Sequence, residues 1–120
     1  MFSFRYFIIE VYQEEKGSTF SDENNEYDIN KIFKLTEHIN PIEENIKDLE
    51  WILDDKPLSK EDQKRRDDSD LSIPILITMK GTKVLVVDGY HRLLKAIQEK
   101  HKTILSKWVS KDIMQKAKIN

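Results

Sequence analysis

Two apolar, β-branched segments joined by a short connection constrain this chain more than any other feature. The first covers residues 73–79 and the second residues 84–87, with Gly81 in the connection between them. Two such runs around a glycine-containing connection predict a β-hairpin over 73–87. Residues 90–99 follow with apolar side chains at helical spacing. The hairpin is therefore expected to lead directly into an amphipathic helix.

The rest of the chain predicts further short strands and helices. The predicted elements are a strand over 2–12, a mobile polar loop over 13–26, a helix capped by Asp28 or Asn30 and stopped by Pro41, a strand over 41–46, helical turns over 48–53, a solvated helix over 60–68 capped by Ser59, a strand over 103–109 and a helix capped by Ser110. We expect a small α/β (α+β) fold with a mixed sheet and short helices. Residues 1–27 would add a strand and loop to one compact unit, 28–120.

Composition excludes several classes of function. The chain has 120 residues, which predicts one domain, and a net charge of −2, which argues against a non-specific nucleic-acid binder. It has no cysteine, so disulfides, thiolate catalysis and cysteine-ligated metal sites are excluded. No stretch approaches the roughly 18 apolar residues of a membrane helix. We expect a cytoplasmic protein with no membrane partner. The abundance of Ile, Lys and Asn is typical of an AT-rich genome, such as that of a phage or other mobile element.

The turn from Asp88 through Gly89, Tyr90, His91 and Arg92 is the candidate functional site. The first N–H groups of a helix have no partner within it, and the helix dipole adds partial positive charge there, so a phosphate binds readily. Glycine lets a ligand approach the main chain. Arginine can bind phosphate through two hydrogen bonds, and histidine can donate one.

Each of these residues also has a purely structural explanation. An Asp-Gly pair is commonly a turn, His91 could be a satisfied core histidine, and Arg92 could pair with Glu50 or Asp88. The combination of all five residues between a buried strand and an amphipathic helix favours a binding function.

Residues 72–77 and 86–96 together resemble the ParB/sulfiredoxin superfamily. The shared pattern is a proline, an apolar strand, a hairpin, a second apolar strand, D-G-x-H-R and an apolar helix with alanine. The resemblance covers about residues 71–108. It implies a small fold that binds nucleotide phosphates at the helix N-terminus through Gly89, His91 and Arg92, with Tyr90 beside them.

Members of that superfamily differ in activity. Sulfiredoxins need a cysteine where this chain has Tyr90, so sulfinic-acid reduction is ruled out. ParB proteins bind CTP and continue into a helix-turn-helix region, for which the chain leaves no room, so DNA is not the expected partner. ADP-dependent free-serine kinases carry D-G-H-H-R, which this chain matches except at Tyr90. Those kinases use an upstream glutamate as base, and the candidates here are Glu43, Glu44 and Glu50.

Three functions remain open from the sequence. The first is a phosphotransferase or nucleotide hydrolase acting on ATP, ADP or CTP, in which Asp88 binds Mg²⁺ or orients His91 and a glutamate accepts a proton. The second is a non-catalytic module that binds a nucleotide and a protein partner, the latter through residues 13–26 and 54–70. The third is a DNA-acting nuclease that uses the basic residues between 60 and 66, although interleaved acidic residues favour a solvated helix there.

Overall fold

The structure, a computed structural model, describes residues 19–53 and 57–119, and the strand predicted over 2–12 lies outside them. The strands are β1 (Thr19–Asp22), β2 (Asn25–Asp28), β3 (Ile42–Asn45), β4 (Ile75–Lys80), β5 (Lys83–Asp88) and β6 (Thr103–Trp108). The α-helices are α1 (Ile29–Leu35), α2 (Lys60–Asp67), α3 (Tyr90–Gln98) and α4 (Lys111–Ala117), and two 3₁₀ turns cover Ile46–Asp48 and Glu50–Ile52. The predicted class, a small α+β fold with a mixed sheet and short helices, is confirmed.

Four strands form the central sheet in the order β3-β6-β4-β5. The β4–β5 hairpin is antiparallel, as predicted, and β3 is antiparallel to β6. The pairing of β4 with β6 is parallel, and α3 connects β5, at one edge of the sheet, to β6 on the far side of β4. The hairpin register shifts between Leu76 and Ile77, so Leu76 lies opposite Asp88. The end of β5 therefore meets the beginning of β4.

The two faces of the sheet are covered by different elements. Successive strand residues point to opposite faces, and Ile75 and Ile77 pack on the same side as Leu93 of α3. Leu76 and Val87 pack on the other side, against α1, α4 and the β1–β2 hairpin. Both faces of β4 are thus buried, which explains its continuous apolar run.

Residues 19–28 form a hairpin, which corrects the prediction of a mobile loop over 13–26. Each strand buries one aromatic side chain, Phe20 in β1 and Tyr27 in β2, and their rings are 6.1 Å apart. The turn places Glu23 at φ +58°. The sequence predicted a boundary between the N-terminal segment and the compact unit at residues 27 and 28, and this position falls inside β2. Phe20 of β1 packs in the same hydrophobic cluster as Leu76 of β4.

Three helices begin at side-chain caps that the sequence predicted. The oxygens of Asp28, Ser59 and Ser110 accept hydrogen bonds from the backbone N–H groups of Lys31, Asp62 and Ile113, at 3.3, 3.0 and 3.2 Å. Each bond satisfies a donor that has no partner within its helix. Helix α1 ends at Leu35, well before Pro41, and the Thr36 hydroxyl donates to the carbonyl of Ile32 at 2.8 Å.

No helix within the described ranges is long and apolar enough to span a membrane.

Candidate functional site

The corner between β5 and α3 depends on the absence of a side chain at Gly89. This residue is the N-cap of α3 and has φ +110°, a conformation that other residues rarely adopt. A Cβ atom there would lie 2.4 Å from Cγ2 of Ile75 and 3.1 Å from a terminal nitrogen of Arg92. The side chain that packs against the main chain of Gly89 is therefore that of Ile75, the first residue of β4. The glycine is required by packing, whatever binds nearby.

Asp88 and Arg92 form a buried ion pair across this corner. Oδ2 of Asp88 accepts a hydrogen bond from Arg92 at 2.9 Å, and the two side chains are 11% and 7% exposed. The two residues are four positions apart, so the bond ties the last residue of β5 to the first turn of α3. Of the two partners considered for Arg92, the structure selects Asp88 over Glu50.

The Arg92 guanidinium keeps one donor unused. Its terminal nitrogen also reaches the carbonyl of Pro74 at 3.4 Å, which is long for a hydrogen bond. Nε is buried and has no hydrogen-bond partner, and it is alone in this among the buried side-chain nitrogen and oxygen atoms of the described residues. Buried donors normally have partners. This donor is therefore an exception that needs an explanation.

Burial raises the pKa of the Asp88 carboxyl, and the charge and hydrogen bond of Arg92 oppose that effect without cancelling it. Desolvation disfavours the charged form of a carboxyl, and an adjacent cation favours it. The cation of Arg65, on α2, acts in the same direction as Arg92. Asp88 is thus easier to protonate than an ordinary aspartate.

His91 is held by α2. Its Nε2 lies 3.1 Å from Oδ1 of Asp62, and its side chain is 11% exposed. Burial raises the pKa of Asp62, but the hydrogen bonds from His91 and Ser59 outweigh it, so the net shift is downward. Asp62 therefore remains ionised and fixes the imidazole at the beginning of α3. Tyr90 packs edge-on against this imidazole, with ring centroids 5.8 Å apart.

Lys95 of α3 binds the C-terminal end of α2, whereas His91 contacts the N-terminal part of that helix. Its Nζ donates to the backbone carbonyls of Asp67 and Ser69 at 3.0 and 2.7 Å. Carbonyls at a helix C-terminus lack partners within the helix, and a cation there also suits the helix dipole. The solvated helix predicted over 60–68 is thus docked beside α3, although none of its residues is buried.

The candidate glutamates lie elsewhere in the molecule. Glu43 accepts a hydrogen bond from the Thr103 hydroxyl at 2.7 Å, and Glu44 accepts one from Nε1 of Trp108 at 2.6 Å. Glu44 lies on β3 and Asp88 on β5, at opposite edges of the four-stranded sheet and so roughly 14 Å apart across it. Glu50 is exposed in a 3₁₀ turn.

The residues at the corner do not fit a magnesium site built on Asp88. Its carboxylate is bonded to Arg92 and burial raises its pKa, whereas a carboxyl group must be ionised to bind Mg²⁺. Across residues 19–53 and 57–119, no group of three or more histidine, aspartate or glutamate side chains could hold a metal ion.

Two of the four basic residues of α2 are paired with carboxylates at the end of the same helix. Lys64 pairs with Asp68 at 2.8 Å, and Arg66 pairs with Asp67 at 3.0 Å. These pairs neutralise much of the positive charge that a DNA backbone would need to contact.

Sequence reasoning missed two contributors to this corner, Asp62 and Lys95. Asp62 is one of several acidic residues in a charged helix, and Lys95 is one of several polar residues of α3, so neither stands out in the sequence. Their partners are 29 and 26 to 28 residues away along the chain. The charged composition of α2 was the available signal, but nothing local indicated which helix it would contact.

Comparison with protein families, with curated proteins and with solved structures found no match for this chain. The ParB/sulfiredoxin resemblance therefore stays a prediction that rests on the residues themselves.

Proposed function

We propose that this protein binds the phosphate group of a nucleotide at the N-terminus of α3, without turning the nucleotide over. The observation that carries the proposal is the Arg92 guanidinium, which lies beside Gly89 and keeps one buried N–H donor unpartnered. A phosphate at this helix end supplies the acceptor that the folded chain lacks.

The local charges support an anion at this position. Helix α3 has no side-chain cap, so the positive end of its dipole is not offset by a capping oxygen. The cation of Arg65 is close enough to act on the pKa of Asp88, and α2 holds the ring of His91, the residue before Arg92, in place through Asp62. The phosphate part of the proposal rests on this arrangement.

The nucleotide part of the proposal rests on the resemblance, with ATP, ADP and CTP as the candidates. Binding without turnover is favoured over a phosphotransferase or hydrolase because Glu43 and Glu44 are engaged by Thr103 and Trp108. A catalytic base would have to be within hydrogen-bonding reach of the nucleophile.

In the proposed complex the phosphate shares the Arg92 guanidinium with Asp88, because the phosphate accepts from Nε while Asp88 keeps its bond to a terminal nitrogen. Burial already raises the pKa of the Asp88 carboxyl, and the negative charge of a phosphate beside it should raise that pKa further. Binding should therefore take up a proton, and the affinity should fall as the pH rises. Calorimetric titration in buffers of different ionisation enthalpy measures this uptake.

The first test is a thermal-unfolding series with ATP, ADP, CTP and pyrophosphate. A ligand at about 100 times its Kd stabilises the folded state by roughly 2.7 kcal/mol, which should raise the midpoint by several degrees. We expect one of these ligands to do so and His91→Gln to reduce the shift. His101→Gln is the matched control, because His101 is exposed and pairs with Glu99.

Two results would refute the proposal. One is the absence of a shift with any of the four ligands. The other is a shift of equal size in wild type and in an Arg92→Lys variant that melts as cooperatively as wild type, since lysine cannot reproduce the guanidinium Nε donor. Detectable product from any nucleotide would instead reject the statement that there is no turnover.

A further inference from the structure

A cavity lies on the α3 side of the sheet, next to the turn of the β4–β5 hairpin. It has a volume of about 410 Å³, which is within the range of sites for small ligands. Its floor is apolar and consists of Leu49, Ile77 and Val84. Leu49 and Ile77 are buried core residues, so the floor is rigid.

Two indole rings line this cavity, and each already contacts a charged side chain. Trp51 is 47% exposed, and Nζ of Lys83 lies over its ring, 4.8 Å from the centroid. Trp108 is half-buried, and its Nε1 donates to Glu44 at 2.6 Å, which fixes that carboxylate at the cavity wall. A tryptophan face attracts cations because its π-system is electron-rich. The contact with Lys83 shows that an ammonium group reaches the Trp51 ring.

The charges that line the cavity favour a cation. Two carboxylates, Glu44 and Asp48, face one ammonium, that of Lys83, which leaves a net charge of −1 if all three are ionised. A phosphate-bearing ligand would be repelled by this excess of negative charge. The cavity and the beginning of α3 therefore suit ligands of opposite charge.

We propose that this cavity binds an organic ammonium group, either free or as the lysine side chain of a protein partner. The ammonium lies on the face of Trp51 between the carboxylates of Glu44 and Asp48, and its alkyl part contacts Val84 and Ile77. In the free protein Lys83 covers the Trp51 ring, and the ligand displaces it. This inference does not depend on the proposed nucleotide function.

Intrinsic fluorescence tests the proposal directly, because the chain has two tryptophans and both line this cavity. The probe is choline, and the control is 3,3-dimethyl-1-butanol, which has nearly the same shape without the charge. We expect choline to change the emission saturably, with a Kd on the order of 1 mM. The neutral alcohol should give no saturable change, and sodium chloride at equal ionic strength should give none.

Substitutions around the cavity should change the choline affinity in opposite directions. Asp48→Asn and Glu44→Gln remove negative charge and should weaken binding severalfold, and the Gln side chain can still accept from Trp108. Lys83→Met removes the competing ammonium and one repulsive charge, so it should strengthen binding by about threefold. Lys80→Met is the matched control, since Lys80 is in the same hairpin but pairs with Asp22 and Glu23.

A second titration separates the two sources of the ammonium. If N-acetyl-lysine methylamide binds more tightly than 1,5-diaminopentane, the lysine of a partner is the source, and the reverse order assigns a free amine. Three results would overturn the proposal: no saturable change with any ammonium probe, equal binding of choline and its neutral analogue, or weaker choline binding in Lys83→Met.

Discussion

The side chain of Ile75 occupies the space that any side chain on Gly89 would need. The ideal Cβ position at residue 89 is 2.4 Å from Cγ2 and 2.7 Å from Cβ of Ile75. Gly89 also has φ +110°, which strains any other residue. The first residue of β4 and the N-cap of α3 are thus in direct contact, and this contact sets how the helix leaves the sheet.

We expect Gly89→Ala to lower the free energy of unfolding by about 2–6 kcal/mol, because backbone strain and overpacking each cost about 1–3 kcal/mol. Urea unfolding measures the change. Gly81→Ala is the control, since Gly81 also has positive φ, +62°, but nothing lies within 4 Å of its added Cβ. It should cost about 1 kcal/mol. Equal effects of the two substitutions would show that the contact with Ile75 is unimportant.

Asp88 should give an unusual pH dependence of stability. Its pKa in the folded state is raised above the ordinary 3.8, so the folded state holds the proton more tightly than the unfolded chain. Its contribution is therefore full below pH 3.8 and is lost as the pH rises through the folded-state pKa. The stability of wild type minus that of Asp88→Asn should fall with rising pH in this window.

Asp62→Asn provides the opposite case for the same measurement. The pKa of Asp62 is lowered in the folded state, so its contribution is present above the unfolded-state value and is lost as the pH falls. The difference between wild type and Asp62→Asn should therefore increase with rising pH. Urea unfolding at a series of pH values measures both differences, and slopes of the same sign would contradict the opposite environments of the two carboxyls.

Lys95→Met should loosen α2 from α3. The substitution removes two hydrogen bonds from Nζ to carbonyls at the end of α2, and we expect a loss of about 1–2 kcal/mol. Amide exchange should accelerate in α2 more than in β4. Lys64→Met is the control, because its pair with Asp68 is 77% and 66% exposed and should contribute little to stability.

Thr78→Val should destabilise the join between β4 and the end of β6. The buried Thr78 hydroxyl donates to the carbonyl of Val109 at 2.7 Å, and valine keeps the shape but leaves that acceptor unsatisfied. We expect a loss of about 1–3 kcal/mol in thermal or urea unfolding. Thr103→Val makes the same change at an exposed hydroxyl bonded to Glu43 and should have little effect.

The strands of the central sheet and the N-termini of three helices could be predicted because their signals are local. The hairpin glycine, the apolar runs and the capping side chains of Asp28, Ser59 and Ser110 each act within a few residues. The β1–β2 hairpin was missed because each strand has only one buried apolar residue, Phe20 or Tyr27. The rest of both strands is polar, so the pattern matched that of a loop.

The chemistry of the corner could be predicted only in part. The close grouping of Asp88, Gly89, His91 and Arg92 follows from their adjacency in sequence, and their role in binding stays a prediction. What surrounds them depends on tertiary contacts: Ile75 against Gly89, Asp62 on His91, and Lys95 on the end of α2. The separation of Glu44 from Asp88 likewise follows from the strand order, which places β3 and β5 at opposite edges of the sheet and which no local pattern reveals.

The strand order has a consequence for folding kinetics. Three of the four central strands come from the continuous stretch 75–108, whereas β3 joins from far away, with Glu43 bonded to Thr103 across 60 residues. Closing such a long loop costs chain entropy before its contacts form. We therefore expect 75–108 to assemble first and β3 to dock late. Substitutions in 42–45 should then mainly accelerate unfolding, while those in the β4–β5 hairpin should mainly slow refolding.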